Sequence, residues 1–119
     1  MSCALWVVIV DEDRNQARSI ERTLTPFGIG TTIVSTVDEL MDFVALAEVD
    51  AIVANISAGN MSRDILVQRL HTIGADERLI VIDSSGTRQA RRILAAPVSP
   101  IDLVDAVLAL GAHAYRRAA

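Results

Sequence analysis

The residues best placed to do chemistry are Asp11, Glu12 and Asp13, three carboxylates in a row at the end of Val7-Val8-Ile9-Val10. Four β-branched residues in succession cannot show a wet face, so that run is a central strand buried on both sides. Carboxylates at its C-terminal end fall in the crevice beyond the strand ends, where open α/β sheets place their sites. Like charges this close repel unless a cation or solvent relieves them. An acidic pocket at a strand end is therefore the chemical feature to explain.

Other candidates carry less. Asn55 ends a second apolar run, Ala51-Ile52-Val53-Ala54, and Asp83-Ser84-Ser85 ends a third, Leu79-Ile80-Val81-Ile82. Ser84 and Ser85 have no histidine or lysine nearby in sequence, which argues against nucleophilic catalysis. Cys3 is the one cysteine and likewise has no activating neighbour. Arg88-Gln89-Ala90-Arg91-Arg92 is the one basic cluster. It is either a solvated loop or a contact for an acidic partner or phosphorylated ligand, since arginine forks pair with phosphates bidentately. His71 and His113 read as surface residues.

The elements that position these residues follow from periodicity. Ala17, Ile20, Leu24 and Phe27 recur at helical spacing, with Asp13 as cap, Gln16 three residues on, and Pro26 with Gly28 as the stop. Thr31 to Val34 is a short, less apolar run, hence an edge strand. Thr36-Val37-Asp38-Glu39 is a capping box for a second helix whose inner face is Leu40, Val44 and Ala47. After the strand ending at Asn55, Ser57-Ala58-Gly59-Asn60 is a loop. Ser62 starts a third helix with Leu66, Leu70 and Ile73 inward, stopped by Gly74. A weak strand at Ile93 to Ala95 precedes Ala96-Pro97. Ser99 then caps a final helix, with Pro100 in its first turn and Val104, Val107, Leu108 and Leu110 among its apolar positions.

Strands alternating with helices, three of them continuous apolar runs, specify a parallel sheet covered on both faces. Five β/α units in this length suit a three-layer α/β sandwich of flavodoxin-like strand order 2-1-3-4-5. The 119 residues make one domain, and 51% apolar with 22% charged residues is a globular composition. A net charge of −4 gives no electrostatic reason to bind nucleic acid or an anionic membrane. No segment is long enough to span a bilayer, and no signal peptide opens the chain. A single cysteine forms no internal disulfide and fits a reducing, cytoplasmic setting.

These residues together resemble the receiver domain of two-component response regulators (CheY-like), and the resemblance covers residues 1–119. In that family an acidic pair after the first strand binds Mg²⁺, and an aspartate after the third strand accepts a phosphoryl group. A Thr or Ser after the fourth strand and a Lys-Pro pair after the fifth complete the site. The acidic pair maps onto Asp11 and Glu12, and the proline onto Pro97. The phosphoacceptor position falls on Asn55, the hydroxyl position on Asp83 (or Ser84), and the lysine position on Ala96.

The departures decide the chemistry that the resemblance implies. A neutral carboxamide cannot act as the carboxylate nucleophile of aspartyl phosphorylation. Its presence also removes a charge from a Mg²⁺ site, and Mg²⁺ favours hard anionic oxygens. The missing lysine removes a cation that would pair with a phosphoryl group, and Asp83 adds a negative charge facing it. Asp11 and Glu12 are then a vestigial acidic loop, with weak Mg²⁺ binding as the alternative, and Asn55 is a hydrogen-bonding anchor at the strand end. Between the fourth and fifth strands only Ser84 to Arg91 remain, too few for a usual parallel crossover, so the family's fourth helix is expected to be shortened or lost.

The implied function is a degenerate, phosphorylation-independent receiver domain without cofactor. It would work as a protein-interaction or dimerisation module of a bacterial transcriptional or signalling regulator, with an effector in the same chain or a separate partner. The alternative is a sensor of an anionic small molecule such as a cyclic dinucleotide. It rests on Arg88, Arg91 and Arg92, where Arg88 with Arg91 is similar to the Arg-x-x-Arg spacing of such sites. Other uses of the fold are excluded: the loop after the first strand is acidic where a flavodoxin holds phosphate, Gly28-Ile29-Gly30 follows a helix and lacks the third glycine of a dinucleotide turn, and no Walker A pattern occurs.

Overall fold

Alternate residues of a strand point to opposite faces, so a strand apolar at every position must be covered twice. β1 (Leu5–Val10) meets that condition: Val7, Val8, Ile9 and Val10 have no exposed surface. The computed structural model describes residues 5–56, 63–83, 93–95 and 99–118. After β1 come α1 (Arg14–Leu24), β2 (Ile29–Val34), α2 (Val37–Leu46), β3 (Ala51–Asn55), α3 (Arg63–Thr72), β4 (Leu79–Asp83), β5 (Ile93–Ala95) and α4 (Pro100–Ala118).

Hydrogen-bonded neighbours run in the order β2-β1-β3-β4-β5, each pair parallel. Against the expected five β/α units, the described residues hold four full strands, four α-helices and the three-residue β5 at one edge. The expected shortening or loss of the helix between the fourth and fifth strands concerns residues 84–92, which lie outside the described residues.

Two cores result, one on each face of the sheet. Val7, Ile9, Val53, Ile80 and Ile82 pack with Ala17, Ile20 and Leu24 of α1 and Leu103, Val107 and Leu110 of α4. Val8, Val10, Ile52, Ala54 and Val81 pack with Leu40 of α2 and Leu66 and Leu70 of α3. This is the expected three-layer sandwich, with β1 and β3 at its centre. No helix of the described residues is long and apolar enough to cross a membrane.

Helix ends follow their local chemistry. Thr36 Oγ1 accepts the Glu39 N–H at 3.1 Å, while Glu39 Oε2 accepts from the N–H of Ser35, one residue earlier than a capping box requires. Three apolar residues expected inside are exposed: Phe27, Ile73 and Leu108. α1 ends at Leu24 and tightens into a 3₁₀ turn, Thr25–Phe27, so the 3.6-residue period no longer carries Phe27 inward. Ile73 lies just past the end of α3, before Gly74 at φ 73°. On α4 the buried face is set by Leu103, Val107 and Leu110, and Leu108 lies a further 100° or so around the helix.

β2 shows one close approach. A Cβ on Gly30 would lie 2.3 Å from Trp6 Cε3, so the absence of a side chain lets the indole lie against the strand. There Trp6 Nε1 donates to Thr32 Oγ1 at 3.0 Å. Gly30→Ala is expected to displace the ring and cost about 1–3 kcal/mol as overpacking. Urea unfolding followed by the fluorescence of Trp6, the chain's single tryptophan, checks this. The native-state emission should shift to longer wavelength as the midpoint falls.

Candidate functional site

The acidic run divides as soon as β1 ends. Asp11 N–H donates to Val34 O at 3.1 Å, continuing the pairing with β2 by one residue and holding Asp11 beneath the loop. Asp11 is fully buried, whereas Glu12 and Asp13 are exposed. Asp13 turns to the helix instead: its Oδ1 accepts from Asn15 N at 2.9 Å and Gln16 N at 3.4 Å, capping α1. That cap fixes the first turn of α1 and with it the place of Gln16.

Asn55 is the last residue of β3 and is also buried. Its position is set on the other side, where it stands in register with Ile82 of β4 and the next residue, Ile56, donates its N–H to Ile82 O at 3.0 Å. From there Asn55 Nδ2 donates to Asp11 Oδ2 at 2.9 Å and to Gln16 Oε1 at 2.7 Å. Asp11 Oδ1 accepts the Asp13 N–H at 2.9 Å. One amide nitrogen thus ties the ends of β1 and β3 to the first turn of α1. Its orientation is dictated by its neighbours, because the reversed amide would aim an oxygen at the Asp11 carboxylate.

Burial pushes the Asp11 carboxyl above the usual carboxylate range. The Asp13 N–H and the Asn55 amide oppose that rise, and the charges of Asp13 and Glu12 add to it. No group of three His, Cys, Asp or Glu residues able to hold a metal occurs among the described residues. Among the described residues, Asp11 and Asn55 as they stand do not fit Mg²⁺. Each Asp11 oxygen already accepts a hydrogen bond, and the Asn55 atom facing them is an NH₂ where a cation would need oxygen.

The structure brings Asp11 and Asn55 together, and the Asn55 amide nitrogen reaches the side chains of Asp11 and Gln16. Gln16 is the member that sequence reasoning missed; its position three residues after the capping Asp13, on the first turn above the strand ends, was the available signal. Asp83 ends β4, in register with Ala95 of β5. Ser84, Arg88, Arg91, Arg92, Ala96 and Pro97 lie outside the described residues. The chain contains no lysine: all 11 of its Lys and Arg residues are arginines. His71 is a surface residue, its Nδ1 3.2 Å from Asp76 Oδ2.

No family model matches the chain. No curated protein matches it in sequence. Solved structures match it in shape. The receiver domain of the Francisella response regulator 1452 superposes with a TM-score of 0.82 at 18% identity, over 92% of this chain and 98% of that one. The signal receiver domain of a putative LuxO repressor protein from Vibrio parahaemolyticus gives 0.83 at 14% identity, over 95% and 94%. The chemotaxis response regulator CheY4 of Vibrio cholerae gives 0.75 at 14%, over 89% and 98%.

The chain has the receiver-domain fold. Within it the crevice at the strand ends is occupied by the chain's own hydrogen bonds, from Asp11 through Asn55 to Gln16.

The raised Asp11 value gives a signed pH dependence. At low pH the carboxyl is protonated in both states, and burying it costs no charge. As pH rises, the unfolded chain releases this proton first, so the contribution of Asp11 to folding becomes less favourable. Asp11→Asn removes the titration. The stability of the native chain relative to that variant is expected to fall as pH is raised from about 3.5 to 7. Urea midpoints of the two proteins across that range check it.

Proposed function

We propose that this chain is a degenerate, phosphorylation-independent receiver domain that acts as a signalling module by protein contact, with a second copy of itself or with a regulatory partner. The observation that carries the reading is the Asn55 amide, hydrogen-bonded to Asp11 and Gln16 at the position where the family resemblance puts the phosphoacceptor. Aspartyl phosphorylation needs a free carboxylate oxygen to attack phosphorus. A carboxamide whose nitrogen is committed to two acceptors offers none. A chain without lysine also lacks the ammonium that the family resemblance pairs with the phosphoryl group.

A domain of this kind signals through a surface set by packing and not through a phosphate-driven shift between two states. α4 supports the contact role: Ile101 and Leu108, seven residues apart on one side of the helix, are exposed. They lie on the helix that follows the edge strand β5, where Leu94 is half-buried. The setting that fits is a bacterial transcriptional or signalling regulator in the cytoplasm, with the effector in the same polypeptide or on a separate protein.

Two outcomes are expected. Incubation with acetyl phosphate and Mg²⁺ leaves the intact mass of the chain unchanged, and a phosphoryl increment refutes phosphorylation independence. Sedimentation equilibrium gives a dimer at micromolar concentration, and Leu108→Glu weakens it at least tenfold, an exposed charge in an apolar contact costing about 1.4 kcal/mol or more. A native chain that stays monomeric at all concentrations removes self-association and leaves the heterologous partner.

A further inference from the structure

We propose that the Asn55 amide takes the place of a divalent cation in this crevice, and that Gln16 is the positioning residue that holds it there. The proposal rests on the reading of the domain as phosphorylation-independent and goes further, because a receiver fold can lose phosphotransfer and still bind a metal.

The argument starts from the buried Asp11 carboxylate. A buried anion needs compensating positive charge or hydrogen-bond donors. A metal ion is one source; donor N–H groups are the other. Here the donors come from the chain. Asp13 N–H serves Oδ1, and the Asn55 NH₂ serves Oδ2 at 2.9 Å. The NH₂ carries two hydrogens, and the second is taken by Gln16 Oε1 at 2.7 Å. An NH₂ held between two oxygens is the inverse of a metal site, which presents oxygens inward to a cation.

For Asn55 to ligate Mg²⁺ beside Asp11, its amide must give up both bonds and turn its oxygen toward Asp11 and Gln16. That places three oxygens against one another before the ion arrives. Gln16 opposes this turn through its Oε1, 2.7 Å from Asn55 Nδ2, on an exposed side chain carried by the turn that the Asp13 cap fixes. With Gln16 in place, the amide has one satisfied orientation. Among the described residues, the donors to Asp11 come from the chain itself.

The test is thermal unfolding of the full chain in EDTA and in millimolar Mg²⁺, with Asn55→Asp and Gln16→Ala. The native chain is expected to show the same midpoint in both buffers. Asn55→Asp should lower the midpoint in EDTA, where its carboxylate meets the oxygens of Asp11 and Gln16, and regain several degrees in Mg²⁺. Gln16→Ala should lower the midpoint of the native chain and open it to a Mg²⁺-dependent rise that the native chain lacks, because the oxygen that holds the Asn55 amide is gone. A glutamine that only packs would lower the midpoint without creating a response to Mg²⁺.

A Mg²⁺-dependent rise in the native chain overturns the proposal, and so does a Gln16→Ala chain whose midpoint falls equally in EDTA and in Mg²⁺. If Asn55→Asp fails to fold in EDTA, the native-chain titration and Gln16→Ala still decide. Mg²⁺ stabilisation without phosphoryl uptake defeats this proposal alone. Phosphoryl uptake from acetyl phosphate by the native chain defeats the functional reading beneath it.

Discussion

A carboxylate with no exposed surface, placed one residue beyond a central strand, must find all its hydrogen bonds inside the fold. Asp11 is that carboxylate. What satisfies it sets the geometry around it: Asp13 N–H on one oxygen, the Asn55 amide on the other. Asp13 then caps α1, α1 presents Gln16, and Gln16 takes the second hydrogen of the same amide. The loop after β1, the end of β3 and the start of α1 are thereby one hydrogen-bonded unit, in which removing any member leaves another with an unmet partner.

That unit depends on the sheet beneath it. Asp11 and Asn55 are 44 residues apart in the chain and meet because β1 and β3 are parallel neighbours whose C-terminal ends coincide, Val10 opposite Ala54. The two-sided burial of both strands fixes their register, since a slip of one residue would exchange the core faces. The crevice is positioned by the packing of Val7, Ile9 and Val53 on one face and of Val8, Val10 and Ile52 on the other.

Much of this was legible in the sequence, for physical reasons that also explain what was not. Continuous apolar runs specify buried parallel strands, and the runs ending at Val10, Asn55 and Asp83 became β1, β3 and β4. Asp13 was readable as a helix cap because capping is local. Asn55 was readable as the residue at the end of the third strand, where the structure places it. Gln16 was legible only as the third residue after the capping Asp13; its partner is 39 residues away, and only the assembled sheet brings the two within 2.7 Å. Phe27 and Ile73 fitted helical periods that end before reaching them, at Leu24 and at Thr72. Periodicity reports the face of a helix but not the residue at which the helix stops.

The central claim is that the Asn55 amide belongs to Asp11 and Gln16 and to nothing that arrives from solution. Its most direct test is nuclear magnetic resonance of the Asn55 side-chain NH₂ in the ¹⁵N-labelled chain. The account predicts two resolved proton resonances, protected from exchange with water, whose positions do not change on adding Mg²⁺ or acetyl phosphate and which shift on Gln16→Ala. Resonances that exchange freely, or that move with Mg²⁺ while ignoring the loss of Gln16, would contradict it.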